Sequence, residues 1–307
     1  MKLGLLSVRR DLMEAPNVST VRFFWVTVLN VLITVVEILG GLFSGSLALL
    51  SDAFHNLSDS ASIVISYIAQ RIANKPETPQ RTFGYRRAEI LSALLNAGLL
   101  IVIALFIVIE AAKRFMHPDH VNGDIMTVVA VIGLLANFVS AALLHNGSRH
   151  SLNIKATYLH ILADGLSSIG VVITGIVLIF WHITWLDPIV SVLVAFYIAY
   201  EALPIIQKTI NILMQAAPDI DYDAIKEDIT SISQVNSVHH VHAWLIDEHH
   251  TMFSAHINCE DIKLSEVEPI YRQISKLLKD KYHISHVTIQ AECQRGINEK
   301  MFDIDRD

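Results

Sequence analysis

Charge is what this 307-residue sequence has least of: 17% of its residues are Asp, Glu, Lys or Arg, against 52% hydrophobic. The mean hydropathy is +0.45. Soluble domains carry about 25% charged residues, so the deficit excludes an ordinary water-soluble globule and points to a membrane protein. Cysteine is scarce too, with Cys259 and Cys293 the two in the chain. Two cysteines do not make a disulfide framework, and cytosolic thiols are expected. The first 20 residues lack an apolar run and carry Arg9, Arg10, Asp11 and Glu14, so no removable signal peptide is expected. Low-complexity stretches and internal duplications are also missing.

What charge there is lies unevenly. Residues 1–214 sum to +1 and residues 215–307 to −8, which marks a boundary near Ala216, Ala217 and Pro218. The expected organisation is an N-terminal segment (1–20), a transmembrane domain (21–213), a C-terminal domain (214–295) and a mobile tail (296–307). A helix needs about 20 apolar residues to cross the hydrocarbon core. Six stretches qualify: roughly 21–44, 47–71, 87–113, 123–147, 152–182 and 185–210. The second is the least apolar, because it carries Asp52, His55, Asn56 and Asp59, and a hydropathy scan can miss it. With six spans both termini share a side. That side holds Arg71, Lys75, Arg81, Arg86, Arg87 and Lys208 with the N-terminal arginines, Arg149 and Lys155, whereas the opposite loops hold Lys113 and Arg114. By the positive-inside rule the termini face the cytoplasm, which places the protein in a plasma or inner membrane as a multi-pass chain.

The C-terminal part reads as a small α+β domain. Asp221–Ile232 predicts a helix, Ser237–Asp247 and Thr251–Cys259 two strands joined by a turn, Ser265–Tyr282 a helix, and Ser285–Cys293 a third strand. The order αββαβ resembles a ferredoxin-like unit without its first strand.

Two copies of His-x-x-x-Asp stand in separate apolar spans: His55 with Asp59, and His160 with Asp164. An ionised side chain at mid-membrane depth costs about 2.5–3.5 kcal/mol on insertion scales and marks function. Residues four apart share a helix face, so each pair points one way. If the second and fifth helices touch, two imidazoles and two carboxylates converge. Four N/O ligands suit tetrahedral Zn²⁺, and imidazole favours zinc over Mn²⁺ or Mg²⁺. Other polar residues in the spans take supporting parts. Asp52 steadies the second helix or the way into the site, Glu37 pairs internally or lines a path, Asn96 and Asn137 bond between helices, and His145 reaches the interface.

With these residues in view, the chain resembles the cation diffusion facilitator family of dimeric zinc transporters. The likeness rests on six spans, the two His/Asp pairs in spans two and five, and the αββαβ tail. Further local matches are SGSLALLSDAFHNLSD, FGYRRAE, KATYLHILADGLSSIGV and WLDPIVS. The resemblance implies export of a divalent cation from the cytoplasm by proton antiport, with His55, Asp59, His160 and Asp164 as the transport site. It also implies a homodimer in the bilayer, Zn²⁺ as substrate and regulatory ligand, and neither an organic cofactor nor a nucleic-acid partner. A membrane-anchored zinc sensor would leave four matched ligands in the bilayer unexplained. A zinc hydrolase would need an open coordination position and a base, and no HExxH motif occurs.

Strand alternation in the tail sets Val241, Ala243 and Leu245 on a core face with Phe253, Ala255, Ile257, Val287, Ile289 and Ala291. The opposite face then gathers His240, His242, Trp244, His256, Gln290 and Glu292. The family's tail metal positions fit His242 and His256, with Glu292 and His240 as further ligands. His239 and Glu268 rank behind them. The third strand departs from the most metal-rich pattern, with Gln290 and Glu292 where some members have His and Asp, and Gln290 is a poor zinc ligand. Cys259 and Cys293 are expected as buried thiols. The loop NKPETPQRTFG has no histidine, so no metal site is expected there. Its Arg81, Arg86 and Arg87 are expected to meet lipid headgroups or acidic residues of the tail.

Overall fold

The computed structural model describes residues 18–148, 152–181, 183–296 and 298–302. The expected N-terminal segment lies almost wholly outside them, as do residues 303–307 and the side chains of Arg22, Arg149 and Lys155. Contacts divide the chain into two compact units, residues 1–65 with 95–204 and residues 66–94 with 205–307.

Six long helices come first: α1 (Val18–Ser44), α2 (Leu47–Ala73), α3 (Arg87–Met116), α4 (Gly123–Ser148), α5 (Leu152–Trp181) and α6 (Leu186–Leu213). All but α2 are long and apolar enough to cross a membrane. At 27 residues, or about 40 Å, α2 has the length and falls short only in apolarity. The residues responsible are Asp52, His55, Asn56 and Asp59, and they face inward or partly inward. Large apolar side chains on the other helices point outward, among them Leu42, Phe43, Leu95, Val102, Leu135 and Phe196. This pattern suits helices solvated by lipid, and the chain is a multi-pass membrane protein.

The first unit packs polar and small residues inside, as membrane helices do. At Gly175 of α5 a Cβ would come within 3.2 Å of the Thr127 backbone on α4, so only glycine allows that approach. Ser58 Oγ donates to Asn96 Oδ1 at 3.4 Å across α2 and α3. Asn137 was expected to bond between helices as well. It is buried, but among the described residues its Nδ2 finds no partner.

The start of α2 is tied down by a buried cluster. Ser46 Oγ accepts from the Leu49 amide at 3.1 Å, which makes Ser46 the N-cap. The same hydroxyl donates to Asp187 Oδ1 at 2.5 Å. Asp187, fully buried in the first turn of α6, also accepts from the amides of Leu47 at 2.9 Å and Ala48 at 3.3 Å. Arg114, at the end of α3, lies 3.6 Å from Asp187 and donates to the Gly45 carbonyl. A carboxylate at a helix N-terminus also complements the macrodipole.

The C-terminal domain follows the expected order: α7 (Tyr222–Thr230), β1 (Val235–Leu245), β2 (Thr251–Cys259), α8 (Leu264–Tyr282) and β3 (His286–Glu292). Asp221 caps α7 through the Ala224 amide at 3.0 Å. β1 and β2 are antiparallel and β2 and β3 parallel, in the order β1-β2-β3. A split βαβ unit would hold one more strand between the last two. Without it, β3 lies directly beside β2. The core joins Ile225 and Ile229 of α7, Val238, Val241, Phe253, Ala255 and Ile257 of the sheet, and Ile270, Ile274 and Leu278 of α8.

Three expectations are corrected here. Strict alternation through β1 fails, because a bulge lies between His239 and His242 and His240 has φ +51°. One extra residue shifts which side chains share a face. Cys259 is buried and its thiol is pushed up chiefly by burial, but Cys293 is exposed, since β3 ends at Glu292. The segment after Gly296, expected to trail free, packs onto the domain in its described part. Met301 joins the core, its carbonyl accepts from the Val241 amide at 2.9 Å, and Phe302 meets Tyr222 edge-on at 5.1 Å.

Candidate metal sites

Helices α2 and α5 bring the two His/Asp pairs together. His160 Nε2 lies 3.1 Å from Asp59 Oδ2 and 3.8 Å from Asp164 Oδ2. His55 Nε2 lies 3.5 Å from Asp164 Oδ1 and 3.7 Å from Asp59 Oδ2. Each imidazole thus faces both carboxylates, and one ligand atom from each of the four residues falls within 4.8 Å of all the others. Ligands about 2.0–2.1 Å from a tetrahedral zinc ion lie roughly 3.4 Å apart. The four His–Asp distances, 3.1–3.8 Å, bracket that spacing.

A plain hydrogen-bonded quartet is the alternative use for these groups. It would leave both rings satisfied. His160 Nε2 is within hydrogen-bond distance of Asp59 Oδ2, but among the described residues neither nitrogen of buried His55 has a hydrogen-bond partner, and neither has Asp164 Oδ1. His55 and Asp164 Oδ1 thus converge without bonding one another, which leaves them open to a shared cation.

Polar residues around the quartet hold the helices that carry it. Asp52, one turn before Asn56 on α2, accepts from Ser167 Oγ at 2.9 Å and Ser168 Oγ at 2.8 Å on α5. Asn56 Nδ2 donates to Glu37 Oε2 of α1 at 2.8 Å. Asp52 therefore does the supporting work expected of it, and Glu37 pairs internally. Tyr197 of α6 sets its ring edge against His55 at 6.4 Å. Its hydroxyl donates to Glu201 Oε1 at 2.6 Å. Sequence reasoning passed over Asp187, Tyr197 and Glu201. The signal for the two acids was available, since each is a carboxylate in an apolar span.

In the tail, the bulge decides the cluster. His239 pairs with His256 across the strands, and His256 with Gln290. His239 Nε2 lies 3.2 Å from Glu292 Oε2, and His256 Nδ1 lies 3.2 Å from Glu292 Oε1. These three form the second convergent group. Of the four expected tail ligands, His256 and Glu292 are brought together. His240 stacks on the His256 ring at 4.6 Å, and exposed His242 reaches His240, Nε2 to Nε2, at 3.3 Å. His239 takes the third place, and Glu268 takes none. Gln290 Nε2 donates to Glu292 Oε1 at 2.6 Å and orients it. Gly296, at φ +71°, folds over His239 so closely that any Cβ there would strike the ring. Glu299 Oε2 stands 3.8 Å from His239 Nε2. Burial holds the His256 ring below its usual range, toward the neutral form that binds metal.

The loop between α2 and α3 behaves as expected at Arg86. Asp247 accepts from the His249 and His250 amides, both at 2.8 Å. Burial alone would raise its carboxyl, but these bonds and the His250 ring outweigh it and hold the carboxyl below the ordinary range. Arg86 Nη1 in turn lies 2.7 Å from His250 Nε2 and 4.0 Å from Asp247.

Comparison with known proteins follows the same division of the chain. Residues 23–214 match the cation efflux transmembrane domain family. Residues 217–294 match the cation efflux protein cytoplasmic domain family. A cadmium, cobalt and zinc/H(+)-K(+) antiporter of Bacillus velezensis is 40% identical over 84% of this chain and 83% of its own length. The zinc transporter ZitB of Escherichia coli is likewise 40% identical over the same shares. The metal cation efflux system protein CzcD of Cupriavidus metallidurans is 35% identical over 84% of this chain and 82% of its own.

Proposed function

This chain belongs to the cation efflux family, and from that premise we propose that His55, Asp59, His160 and Asp164 hold the divalent cation it exports. The protein is a secondary transporter, not an enzyme, and moves divalent metal out of the cytoplasm by proton antiport, with zinc as a substrate. The observation that carries the site is the convergence of four ligand atoms, with His55 lacking a hydrogen-bond partner among the described residues.

Chemistry links the two fluxes. Zinc needs neutral imidazoles and ionised carboxylates, so its arrival expels protons from the quartet. Its departure lets protons return to His55 and His160. A site reached alternately from each side then carries metal outward and protons inward. The termini and the C-terminal domain face the cytoplasm in the inner or plasma membrane, a reading supported by the Lys/Arg bias of the loops. The cytoplasmic domain joins two copies as a homodimer. His239, His256 and Glu292 hold a regulatory zinc there, a reading supported by their 3.2 Å contacts. Bound zinc would tie β1, β2 and β3 together, and Gly296 and Glu299 would close over it.

Zinc uptake into inverted vesicles tests the transport site. Asp164→Ala should lower uptake about 100-fold or more, since an incomplete shell loses both affinity and charge balance. Binding of zinc by the tail should persist in this variant. Uptake that stays near the wild-type rate would refute the assignment.

A further inference from the structure

The membrane quartet is not equally enclosed on its two sides. The side chains of His55 and Asp164 are 6% and 5% exposed, whereas those of Asp59 and His160 are 25% and 40% exposed. The quartet therefore opens toward the end of α2 that lies beyond Asp59.

One contact fixes the depth of residues on α6 relative to α2. Asp187 binds the amides of Leu47 and Ala48, so positions 187 and 47 are level. Both helices rise about 1.5 Å per residue from there. His55 then lies about 12 Å along, Tyr197 about 15 Å, Asp59 about 18 Å and Glu201 about 21 Å. The ring contact between Tyr197 and His55 agrees with that ladder. Glu201 thus stands about 3 Å beyond Asp59, on the open side.

Glu201 is held there. The Tyr197 hydroxyl occupies Oε1 at 2.6 Å. Among the described residues no lysine or arginine pairs with the carboxylate. The neighbouring acids Asp59 and Asp164 already belong to the quartet. A structural use for Glu201 would call for a cation or several donors, whereas among the described residues it has a single tyrosine hydroxyl, bonded to one oxygen.

We infer that Glu201, oriented by Tyr197, is a capture subsite where a hydrated divalent cation pauses before His160 and Asp59 take it over. The inference rests on the transport-site assignment. A carboxylate at the mouth of a low-dielectric cleft raises the local concentration of cations. A hydrated dication can bind it through its own waters and then exchange them for the half-exposed His160 ring. Glu201 makes no contact with the fully bound cation, so its effect falls on capture rather than on the translocating step.

Initial rates of zinc uptake against free zinc, in proteoliposomes holding the full-length protein, test this. Glu201→Gln should raise KM about 5- to 10-fold and lower the maximal rate less than about twofold. Glu201→Asp should recover most of the lost KM, and Tyr197→Phe should raise KM more modestly. Added salt should slow the wild type at low zinc more than it slows Glu201→Gln. A KM for Glu201→Gln within twofold of wild type would overturn the subsite. So would a fall in maximal rate at unchanged KM, which is the mark of a packing defect. Asp164→Ala runs alongside: if it transports like wild type, the transport-site assignment fails and the subsite with it, whereas loss of flux there with an unmoved Glu201→Gln sinks the subsite alone.

Discussion

His239 shows what a single backbone residue can decide. Its ring is buried, its neighbours are Glu292 and His256, and Gly296 closes over it. Alternation in the sequence favours His240 and His242 instead, and only the left-handed His240 and the bulge beside it bring His239 to the metal-competent face. No residue type announces that bulge, since histidine at positive φ is uncommon. A ligand that binds the folded state alone stabilises it by about 2.7 kcal/mol at 100 times its Kd. Zinc should therefore raise the thermal stability of the purified protein by about that amount. In an Asp164→Ala background, which silences the quartet, His239→Ala should remove most of the gain and His242→Ala little of it. The reverse ranking in a thermal-unfolding assay would return the site to the histidines that alternation favours.

At the scale of elements, the sequence is most informative where a period meets an unusual residue. The four-residue spacing of His55/Asp59 and His160/Asp164 fixes their helix faces, and the helices that carry them do meet. The αββαβ order is equally plain from alternation and helical spacing. Which helices touch at their ends is not written in any period. The cluster of Ser46, Asp187 and Arg114 joins α2, α6 and α3 through residues up to 141 positions apart. Nothing local to WLDPIVS reveals that its aspartate caps a different helix. Asp187→Asn would leave Arg114, 13% exposed, short of one anion, although Glu110 and Asp119 still face it at 3.9 and 3.8 Å. The expected loss is about 2–4 kcal/mol, somewhat below that for a wholly isolated buried pair. Thermal unfolding in detergent reads it, and a change below about 0.5 kcal/mol, the range of an ordinary surface substitution, would show that the cluster is dispensable.

For the whole molecule, the division of charge matches the division of labour. The near-neutral membrane part buries Glu37, Asp52, His55, Asp164 and Asp187, and the acidic tail carries the second convergent group. The proton exchange proposed for the quartet makes a firm demand on transport: zinc accumulation in proteoliposomes should track an imposed pH gradient and cease when a protonophore collapses it. Accumulation that persists without a gradient would disprove the coupling. The pinned start of α2 bears on how such exchange is geared. A rod held at one end moves in proportion to distance from the pin. A tilt of about 10° would carry His55 about 2 Å and the far end of the helix about 7 Å. Two ångströms is the length of a zinc–nitrogen bond. A modest swing of one helix can therefore strip a ligand from the ion while the joint at Asp187 never lets go.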